Sequence, residues 1–176
     1  MSLKTSIILC TYNEVNYIKN TISELERNVP NLELVIVDDL STDGTIEVLK
    51  ELNLQNKYKI IFRKRSRGLA SAFVRGITET TGDQIGWLDT NMSELAPRFL
   101  EMSDEIKKKN DIIILSRYVD GGGDKRNLIR ALCSKYFNLF CRLVLTFKVK
   151  DFTSSIFLMK REIMDEVTFL WYGHGE

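Results

Sequence analysis

Histidine is almost absent from this chain, and its scarcity excludes several classes of catalytic site. The single histidine among the 176 residues is His174. A zinc site built from several histidines is therefore excluded, and so in effect is a Ser-His-Asp triad. Two common nucleotide-binding motifs are also missing, because no G-x-G-x-x-G sequence follows a strand and no Walker A sequence occurs.

Cysteines and long apolar runs are scarce as well. The three cysteines are Cys10, Cys133 and Cys141. The last two would lie about 12 Å apart on a predicted helix with a rise of about 1.5 Å per residue, which is too far for a disulfide. Free thiols of this kind are typical of a reducing compartment. The N-terminus lacks the basic-then-apolar order of a signal peptide, and no apolar run is long enough to predict a transmembrane helix.

The charge of the chain is nearly balanced but unevenly distributed. The net charge is +1, so we expect no nucleic-acid partner. Residues 125–150 nevertheless contain seven lysines and arginines, no acidic residue and many apolar side chains. A basic amphipathic helix of this composition predicts contact with a membrane surface. A helix packed on a sheet edge with a solvated basic face is the alternative.

Short apolar runs alternate with segments of helical periodicity, and this alternation predicts an α/β fold. Its spacing indicates a Rossmann-like, mostly parallel sheet with right-handed crossovers and flanking helices. No repeat or linker interrupts the pattern, so we predict a single domain over residues 1–176. Asn13 is expected to cap the first helix and Glu14 to lie in its first turn. The predicted strands are 5–10, 33–37, 58–62, 85–88, 111–115 and 156–159.

The most informative stretch is the short apolar strand that leads into Asp89 and Asn91. In an open α/β sheet, ligands bind beyond the carboxyl ends of the strands. The oxygens of Asp89 and Asn91 suit Mg²⁺ or Mn²⁺, and such a metal can carry a diphosphate. An ordinary Asp/Asn turn is the alternative. Three other polar strand ends would share this rim: 11–14, 38–39 and 116–117.

Six short motifs occur along the chain in a fixed order. They are IILCTYNE at 7–14, VIVDDLSTDGT at 35–45, RGLA at 67–70, LDTN at 88–91, SRY at 116–118 and DFTS at 151–154. In this order they resemble the family 2 glycosyltransferases, and most closely the polyprenyl-phosphate sugar synthases, a group that includes dolichyl-phosphate mannose synthase. The resemblance implies a GT-A fold, a UDP- or GDP-sugar donor, a divalent metal (Mg²⁺ or Mn²⁺) and inversion at the anomeric carbon.

The resemblance also implies roles by position. The part up to about residue 118 would bind the nucleotide-sugar, and residues 119–176 would form the acceptor and membrane side. Asp89 and Asn91 would hold the metal, and Asp89, Arg117 and Asp151 would be the catalytic residues. The residues implied for the nucleotide are Thr11, Tyr12, Asn13, Glu14, Asp38, Asp39, Arg67, Gly68 and Asp89. Those implied for the acceptor are Arg117, Arg130, Ser134, Arg142 and Thr153.

Three positions depart from the family pattern. Asn91 stands where the family has a second metal carboxylate, Leu40 where glycine usually follows the paired aspartates, and Ser155 where glycine is common. Because Asn91 is a neutral and weaker ligand, a non-catalytic nucleotide-sugar-binding homologue, acting as a partner or regulatory subunit, is an alternative hypothesis. Residues 171–176 do not resemble a natural chain end, so we expect a truncation there.

The nature of the acceptor determines whether a general base is needed. A polyprenyl phosphate is already anionic near pH 7, because the second pKa of a phosphomonoester is about 6. A glycan hydroxyl, as in cell-surface polysaccharide synthesis, would need a carboxylate base, for which Asp151 and Glu176 are the candidates. We expect a cytoplasmic enzyme of cell-envelope synthesis, peripheral at the inner face of the membrane. A membrane-surface interaction module built on residues 125–150 is a third hypothesis.

Overall fold

Strands and helices alternate along the chain as the sequence predicts. The structure, a computed structural model, describes residues 3–119, 128–146 and 148–166. The strands are β1 (Thr5–Thr11), β2 (Leu32–Asp38), β3 (Lys59–Phe62), β4 (Gln84–Leu88), β5 (Ile112–Ile114) and β6 (Ile156–Lys160). The helices are α1 (Ile18–Asn28), α2 (Thr45–Leu52), α3 (Leu69–Glu79), α4 (Arg98–Lys107), α5 (Leu128–Val144) and α6 (Glu162–Glu166).

The six strands form one sheet in the order β3-β2-β1-β4-β6-β5. β1 pairs in parallel with β2 and β4, and β2 pairs in parallel with β3. The predicted fold class, an α/β fold with a mostly parallel sheet, is therefore confirmed.

One edge of the mostly parallel sheet is antiparallel. The Lys160 N–H donates to the Asp111 carbonyl at 3.0 Å, and the Leu115 N–H donates to the Ile156 carbonyl at 3.1 Å. The partner numbers run in opposite directions, so β5 and β6 are antiparallel. The alternation of strands and helices does not reveal this, because it does not determine the direction in which a late strand enters the sheet.

The chain divides into two compact units. Unit 1 comprises residues 1–113 and 158–176, and unit 2 comprises residues 114–157. The division falls within β5 and β6. Unit 1 contains β1–β4 and α1–α4, and unit 2 contains α5. The single catalytic domain predicted from the sequence stays a prediction.

The centre of unit 1 is a pair of apolar strands. Residues 7–9 of β1 and residues 35–37 of β2 have no exposed surface, as expected for central strands of a parallel sheet. α3 packs directly on β1 at Gly76, where a Cβ would lie 2.6 Å from Cγ2 of Ile8. This close packing fixes the strands, and therefore the polar residues at their ends. The predicted apolar faces of α1 and α4 are buried as well, at Ile18, Ile22, Leu25, Phe99, Met102 and Ile106.

The start of α1 differs from the sequence prediction. The helix begins at Ile18 rather than after Asn13. Asn13 has a φ of 60° and its Oδ1 accepts the Thr42 N–H at 2.8 Å, so it supports the neighbouring loop instead of capping a helix. The Glu14 carbonyl accepts the N–H groups of Tyr17 and Ile18 in the preceding turn. Glu14 consequently lies outside the helix.

α5 is a 17-residue helix with an unusual distribution of side chains. Its buried side chains among those described are Ser134, Asn138 and Cys141, and the first two are polar. Many of its apolar side chains are exposed, among them Ile129, Tyr136, Phe137, Phe140, Leu143 and Val144. None of the helices in the described ranges is long and apolar enough to cross a membrane.

Candidate functional site

A cleft of about 630 Å³ lies in unit 1 at the carboxyl ends of β1, β2 and β4. The parallel register places Thr11 beside Asp38, which aligns the polar ends of two strands. The cleft brings together eight of the predicted site residues. Its lining consists of Cys10, Thr11, Tyr12, Glu14, Asp39, Arg67, Gly68, Leu69, Ala72, Asp89, Thr90 and Asn91.

Asp38 and Asn13 are not among the residues that line the cleft. Asp38 is fully buried, and its carboxylate accepts hydrogen bonds from the Thr11 hydroxyl (2.8 Å), the Ser41 hydroxyl (2.6 Å) and the Ser41 N–H (2.8 Å). Asn13 interacts with the same loop, because its N–H donates to Ser41 Oγ at 2.9 Å. The direct contact of these two residues with a nucleotide stays a prediction. They hold the loop that carries Asp39.

Asp39 lies in the cleft and its carboxylate is held from the side of β3. Arg63 Nε donates to Asp39 Oδ1 at 2.7 Å, and the Gly68 N–H donates to Oδ2 at 2.7 Å. Arg63 is itself buried and also donates to Ser71 Oγ at 3.0 Å. The sequence analysis missed this role of Arg63. The signal was its position directly after β3, the strand that pairs with β2.

Arg67 connects three loops at the rim of the cleft. Its guanidinium lies 5.1 Å from the centre of the Tyr12 ring, a cation–π contact. Its Nη2 also donates to the carbonyls of Asp39 and Leu40. Leu40 has a φ of 56°, a left-handed conformation that favours glycine. Glycine, which the resemblance implies at this position, would adopt this conformation without strain.

The charged groups in the cleft are mainly acidic on the side of β4. Burial raises the pKa of Glu14, and the negative charges of Asp89 and Asp43 raise it further. A hydrogen bond with Thr90 acts in the opposite direction, but it does not outweigh them. Burial also raises the pKa of the Cys10 thiol to about 12, so Cys10 offers no thiolate near neutral pH. A cation in this part of the cleft would relieve the repulsion between its carboxylates.

Asp89 and Asn91 are the residues that could hold a divalent metal here. In residues 3–119, 128–146 and 148–166, no three His, Cys, Asp or Glu side chains gather as a metal site. One carboxylate and one amide oxygen fit Mg²⁺ or Mn²⁺ only as part of a larger set of oxygen ligands, because Mg²⁺ requires about six. Phosphate oxygens and water are the usual remaining ligands of such an ion.

Arg117 and Asp151 form an ion pair in unit 2. Arg117 Nε donates to Asp151 Oδ2 and Arg117 Nη2 to Oδ1, each at 2.8 Å. The Asp151 side chain has no exposed surface. Its burial would raise the pKa of the carboxyl, but the hydrogen bonds and charge of Arg117 outweigh burial and lower it. The lone pairs of Asp151 are thus engaged by Arg117 and Thr153, and its role as a general base stays a prediction.

The remaining predicted acceptor residues lie near this ion pair or along α5. Arg117 Nη2 donates to Thr153 Oγ1 at 2.6 Å, and Thr153 Oγ1 lies 2.8 Å from Ser134 Oγ. Arg142 lies two turns after Ser134 and is half-buried. The side chain of Arg130 lies outside the described part of the chain, and so does Glu176, the other predicted base.

Asn138 is a buried residue of unit 2 that the sequence analysis missed. Its Nδ2 donates to the Ser134 carbonyl at 2.8 Å and to Thr153 Oγ1 at 3.1 Å. Its Oδ1 accepts the N–H of Phe152. The available signal was its spacing, because an uncharged polar residue four positions after Ser134 lies on the same face of the helix.

The sheet, the cleft at its strand ends and the ordered motifs define a glycosyltransferase of the GT-A type. Residues 6–168 match the family described as Glycosyl transferase family 2, and the chain belongs to this family. The resemblance noted from the motifs is thereby confirmed.

The curated relatives include two enzymes with lipid-linked products in their names. The chain is 34% identical to the dolichol-phosphate mannosyltransferase of Pyrococcus furiosus over 173 residues, which cover 94% of this chain and 48% of that protein. It is 27% identical to the polyprenol monophosphomannose synthase of Mycolicibacterium smegmatis over 172 residues, covering 93% of this chain and 64% of that protein. The chain thus spans about half to two thirds of the length of these relatives.

Solved structures show the same fold at lower sequence identity. A mannosyltransferase from Pyrobaculum calidifontis, in complex with GDP-Man and Mn²⁺, aligns with a TM-score of 0.63 at 19% identity, over 94% of this chain and 47% of that one. The glucosyl-3-phosphoglycerate synthase of Mycobacterium tuberculosis, with Mn²⁺, UDP and phosphoglyceric acid, aligns with a TM-score of 0.67 at 18% identity, over 92% of this chain and 57% of that one.

Proposed function

We propose that this chain belongs to an inverting glycosyltransferase that moves a sugar from a UDP- or GDP-sugar to a polyprenyl phosphate. The observation that carries the proposal is the unit 1 cleft, in which the ends of β1, β2 and β4 present Asp39, Asp89 and Asn91 together. The names of the two curated relatives support the acceptor class.

The donor site uses the cleft residues in distinct ways. The exposed ring of Tyr12 offers a face on which a nucleobase can stack. Asp39, held by Arg63 and Gly68, keeps lone pairs for N–H or O–H groups of base and ribose. Asp89 and Asn91 would hold the metal with the diphosphate, and structural neighbours in complexes with Mn²⁺ and nucleotides support this assignment.

The chemical step requires charge stabilisation more than proton transfer. The metal, when bound, would neutralise charge that develops on the leaving diphosphate. The acceptor phosphate is already anionic near pH 7. This acceptor needs no base, and the carboxylate of Asp151, whose pKa Arg117 lowers, is consistent with that. Arg117 then serves to attract and orient the acceptor phosphate rather than to assist a base.

The exposed surface of α5 supports a location at a membrane. Phe140 and Leu143 are 62% and 64% exposed, and Lys135 on the same helix is exposed as well. Apolar side chains with interspersed basic residues suit the interface of an anionic leaflet, and a polyprenyl phosphate presents its headgroup there. The proposed site of action is accordingly the cytoplasmic face of the membrane.

The test combines donor binding with transfer. Calorimetric titration of UDP, GDP and their sugars, with and without Mn²⁺, should show tight binding of one nucleotide that depends on the metal. The same protein should then transfer that sugar to a polyprenyl phosphate in detergent. Donor binding without transfer to polyprenyl phosphates or glycans would contradict the proposal and favour a non-catalytic binding subunit.

A further inference from the structure

A second cavity lies in unit 1 at the amino ends of the parallel strands, and we name it the amino-edge cavity. Its volume is about 580 Å³, within the range that holds small-molecule ligands. Gln84, which lines it, is the first residue of β4, whereas Asp89 follows the last residue of the same strand. At about 3.3 Å per residue these two positions lie about 17 Å apart. A ligand in the amino-edge cavity would therefore not occupy the cleft that carries Asp89.

The charged side chains of the amino-edge cavity are mainly basic. Two acidic and four cationic side chains line it: Asp83, Glu162, Lys107, Lys109, Lys160 and Arg161. The lining therefore carries a net charge of +2, although unit 1 contains more acidic than basic residues. The carboxylate of Asp83 is engaged, because its Oδ2 accepts the Lys4 N–H at 2.8 Å. Basic side chains gathered at one cavity of an acidic unit attract anions.

Two of these cations, Lys107 and Lys160, already form ion pairs at the rim. Lys107 Nζ lies 2.8 Å from Asp104 Oδ1. Lys160 Nζ lies 3.0 Å from Asp111 Oδ1 and 3.6 Å from Glu162 Oε1. The three carboxylate side chains are all more than half exposed. Exposed pairs of this kind are screened by solvent and contribute little, so either lysine can turn to a ligand at small cost.

Lys109 and Arg161 have no acidic partner within the described ranges. Arg161 is anchored, because its Nε donates to the Gly82 carbonyl and its Nη2 donates to Thr80 Oγ1 at 2.8 Å. Lys109 directly follows the C-cap residue of α4 and has a φ of 82°, a left-handed conformation that glycine adopts more readily. A guanidinium held in place and an unpaired lysine offer two cationic donors to an anion.

Gln84 adds a buried hydrogen-bond donor to these cations. The residue is only 1% exposed. Its Oε1 accepts the Thr5 hydroxyl at 3.3 Å, whereas its Nε2 is buried and has no hydrogen-bond partner in the part of the chain that the structure describes. A buried N–H group without a partner is costly, and nearly all such groups in proteins are satisfied. Because Gln84 lines the cavity, an acceptor atom of a ligand there can supply the missing bond.

We propose that the amino-edge cavity binds the phosphate group of a small phosphate monoester. Such a group is largely dianionic near pH 7, because its second pKa is about 6, and it presents three terminal oxygens. Lys109 and Arg161 match its charge, and Gln84 Nε2 donates to one of its oxygens. A carboxylate has two oxygens and a single charge, so it satisfies this set of donors less well. The site is independent of the proposed sugar transfer and does not require it.

The competing explanation is a water molecule bound to Gln84, which would satisfy the amide without any anion site. NMR titration of the isotopically labelled chain with methyl phosphate separates the two. EDTA is present to remove divalent metal from the cleft that carries Asp89, and the ionic strength is held constant. The backbone amide signals of residues 82–84, 106–109 and 160–162 should shift together and saturate. Shifts at none of these residues, or shifts confined to unit 2, would overturn the proposal.

Acetate in place of methyl phosphate tests the class of anion. It should bind at these residues about tenfold more weakly, since it forms at least one charged hydrogen bond fewer. Acetate that binds as tightly as methyl phosphate would overturn the assignment to a phosphate monoester and identify a carboxylate site.

Two variants test the residues that carry the proposal. Gln84→Glu keeps the shape and the acceptor for Thr5 but replaces the N–H donor by a charged oxygen, so the affinity for methyl phosphate should fall at least about tenfold. Lys109→Gly removes one cation and relaxes the left-handed backbone, so the affinity should fall about threefold while the melting temperature rises. Unfolding would not explain that combination.

Lys19→Ala is the control for a lost charge, because Lys19 is an exposed lysine of α1 that does not line the cavity. It should bind methyl phosphate like the unaltered chain. Unchanged affinity in both the Gln84 and the Lys109 variants, or an equal loss in the Lys19 control, would overturn the proposal.

Discussion

Unit 1 and unit 2 differ in the charge that they carry and in the surface that they expose. Unit 1 contains 17 lysines and arginines against 21 acidic residues, a net charge of −4, whereas unit 2 contains eight against three, a net charge of +5. The overall charge of +1 conceals this difference. The large apolar side chains exposed along α5 belong to unit 2.

The difference in charge predicts that the two units bind anions by different means. The cleft of unit 1 presents carboxylates, so a nucleotide diphosphate requires a cation there. In the proposed function, unit 2 would bind the acceptor phosphate through Arg117 and hydroxyl groups. Each of the following predictions changes one side of this contrast, and they are ordered from the largest expected effect to the smallest.

Asp89→Ala should have the largest effect. It removes the carboxylate that would hold the metal, so transfer should fall about 10³-fold, as when an enzyme loses a group that stabilises charge in the transition state. Mn²⁺-dependent donor binding should disappear in calorimetry. Asp104→Ala is the matched control, because Asp104 is an exposed aspartate on α4 that pairs with Lys107. Full metal-dependent transfer by the Asp89 variant would refute the metal assignment.

Arg117→Ala should destabilise unit 2 as well as impair acceptor binding. The change leaves the buried carboxylate of Asp151 without its cation, which costs about 3 kcal/mol when one partner of a buried pair is removed. Chemical denaturation measures this loss. Arg117→Ala with Asp151→Asn should regain part of the stability, because no buried charge then remains uncompensated. A double variant no more stable than Arg117→Ala would contradict this account.

The ion pair also predicts a pH dependence. The pKa of Asp151 in the folded chain lies below its ordinary value of 3.8. The stabilisation is therefore fully present above about pH 4 and is lost as the pH falls through the folded-state pKa. Asp151→Asn should weaken the decrease in unfolding free energy between about pH 4 and pH 2. An unchanged acid profile would show that the pair contributes nothing to acid sensitivity.

Replacing Phe140 and Leu143 by serine should weaken binding to anionic vesicles about thirtyfold. Each side chain is more than half exposed, so the change costs little folding stability but removes apolar area that would enter the interface. Vesicle co-sedimentation measures the loss, and donor binding in unit 1 should not change. Leu54→Ser is the control, because Leu54 is an even more exposed leucine in unit 1. Equal vesicle binding by all variants would exclude α5 as the membrane contact.

The sequence predicted a polar cleft at the strand ends because parallel strands end at a common edge. Apolar runs identify the strands, and the polar residues after them are then neighbours by geometry. The same reasoning could not separate Asp38 from Asp39, since adjacent residues at a strand end point in opposite directions and no pattern reveals which one faces the cleft. Asp38 proved to be buried, and Asp39 lines the cleft.

Other features depend on tertiary neighbours and were therefore not predictable. Four basic residues lie within positions 63–67, and only the fold shows that Arg63 is buried against Asp39 while Arg67 contacts Tyr12. The role of Asn138 likewise depends on Thr153 and Phe152, which are distant from it along the chain. Composition indicates that such residues are polar, but it does not indicate which other polar groups they meet.

Asn91→Asp should have the smallest effect, but the direction in which it changes the Mn²⁺ affinity is the most informative. It adds a second carboxylate to the cleft, so it should raise the affinity for Mn²⁺ without nucleotide about tenfold, as measured by electron paramagnetic resonance of free Mn²⁺. Asn56→Asp adds the same charge outside the cleft and should leave the affinity unchanged. With Asn91 in place, Mn²⁺ should bind appreciably only when UDP or GDP is present, because the diphosphate supplies the missing anionic oxygens. If the unaltered chain binds Mn²⁺ equally well with and without nucleotide, the acidic cleft of unit 1 holds the metal without help from the diphosphate. The two units would then differ in metal affinity even more than proposed.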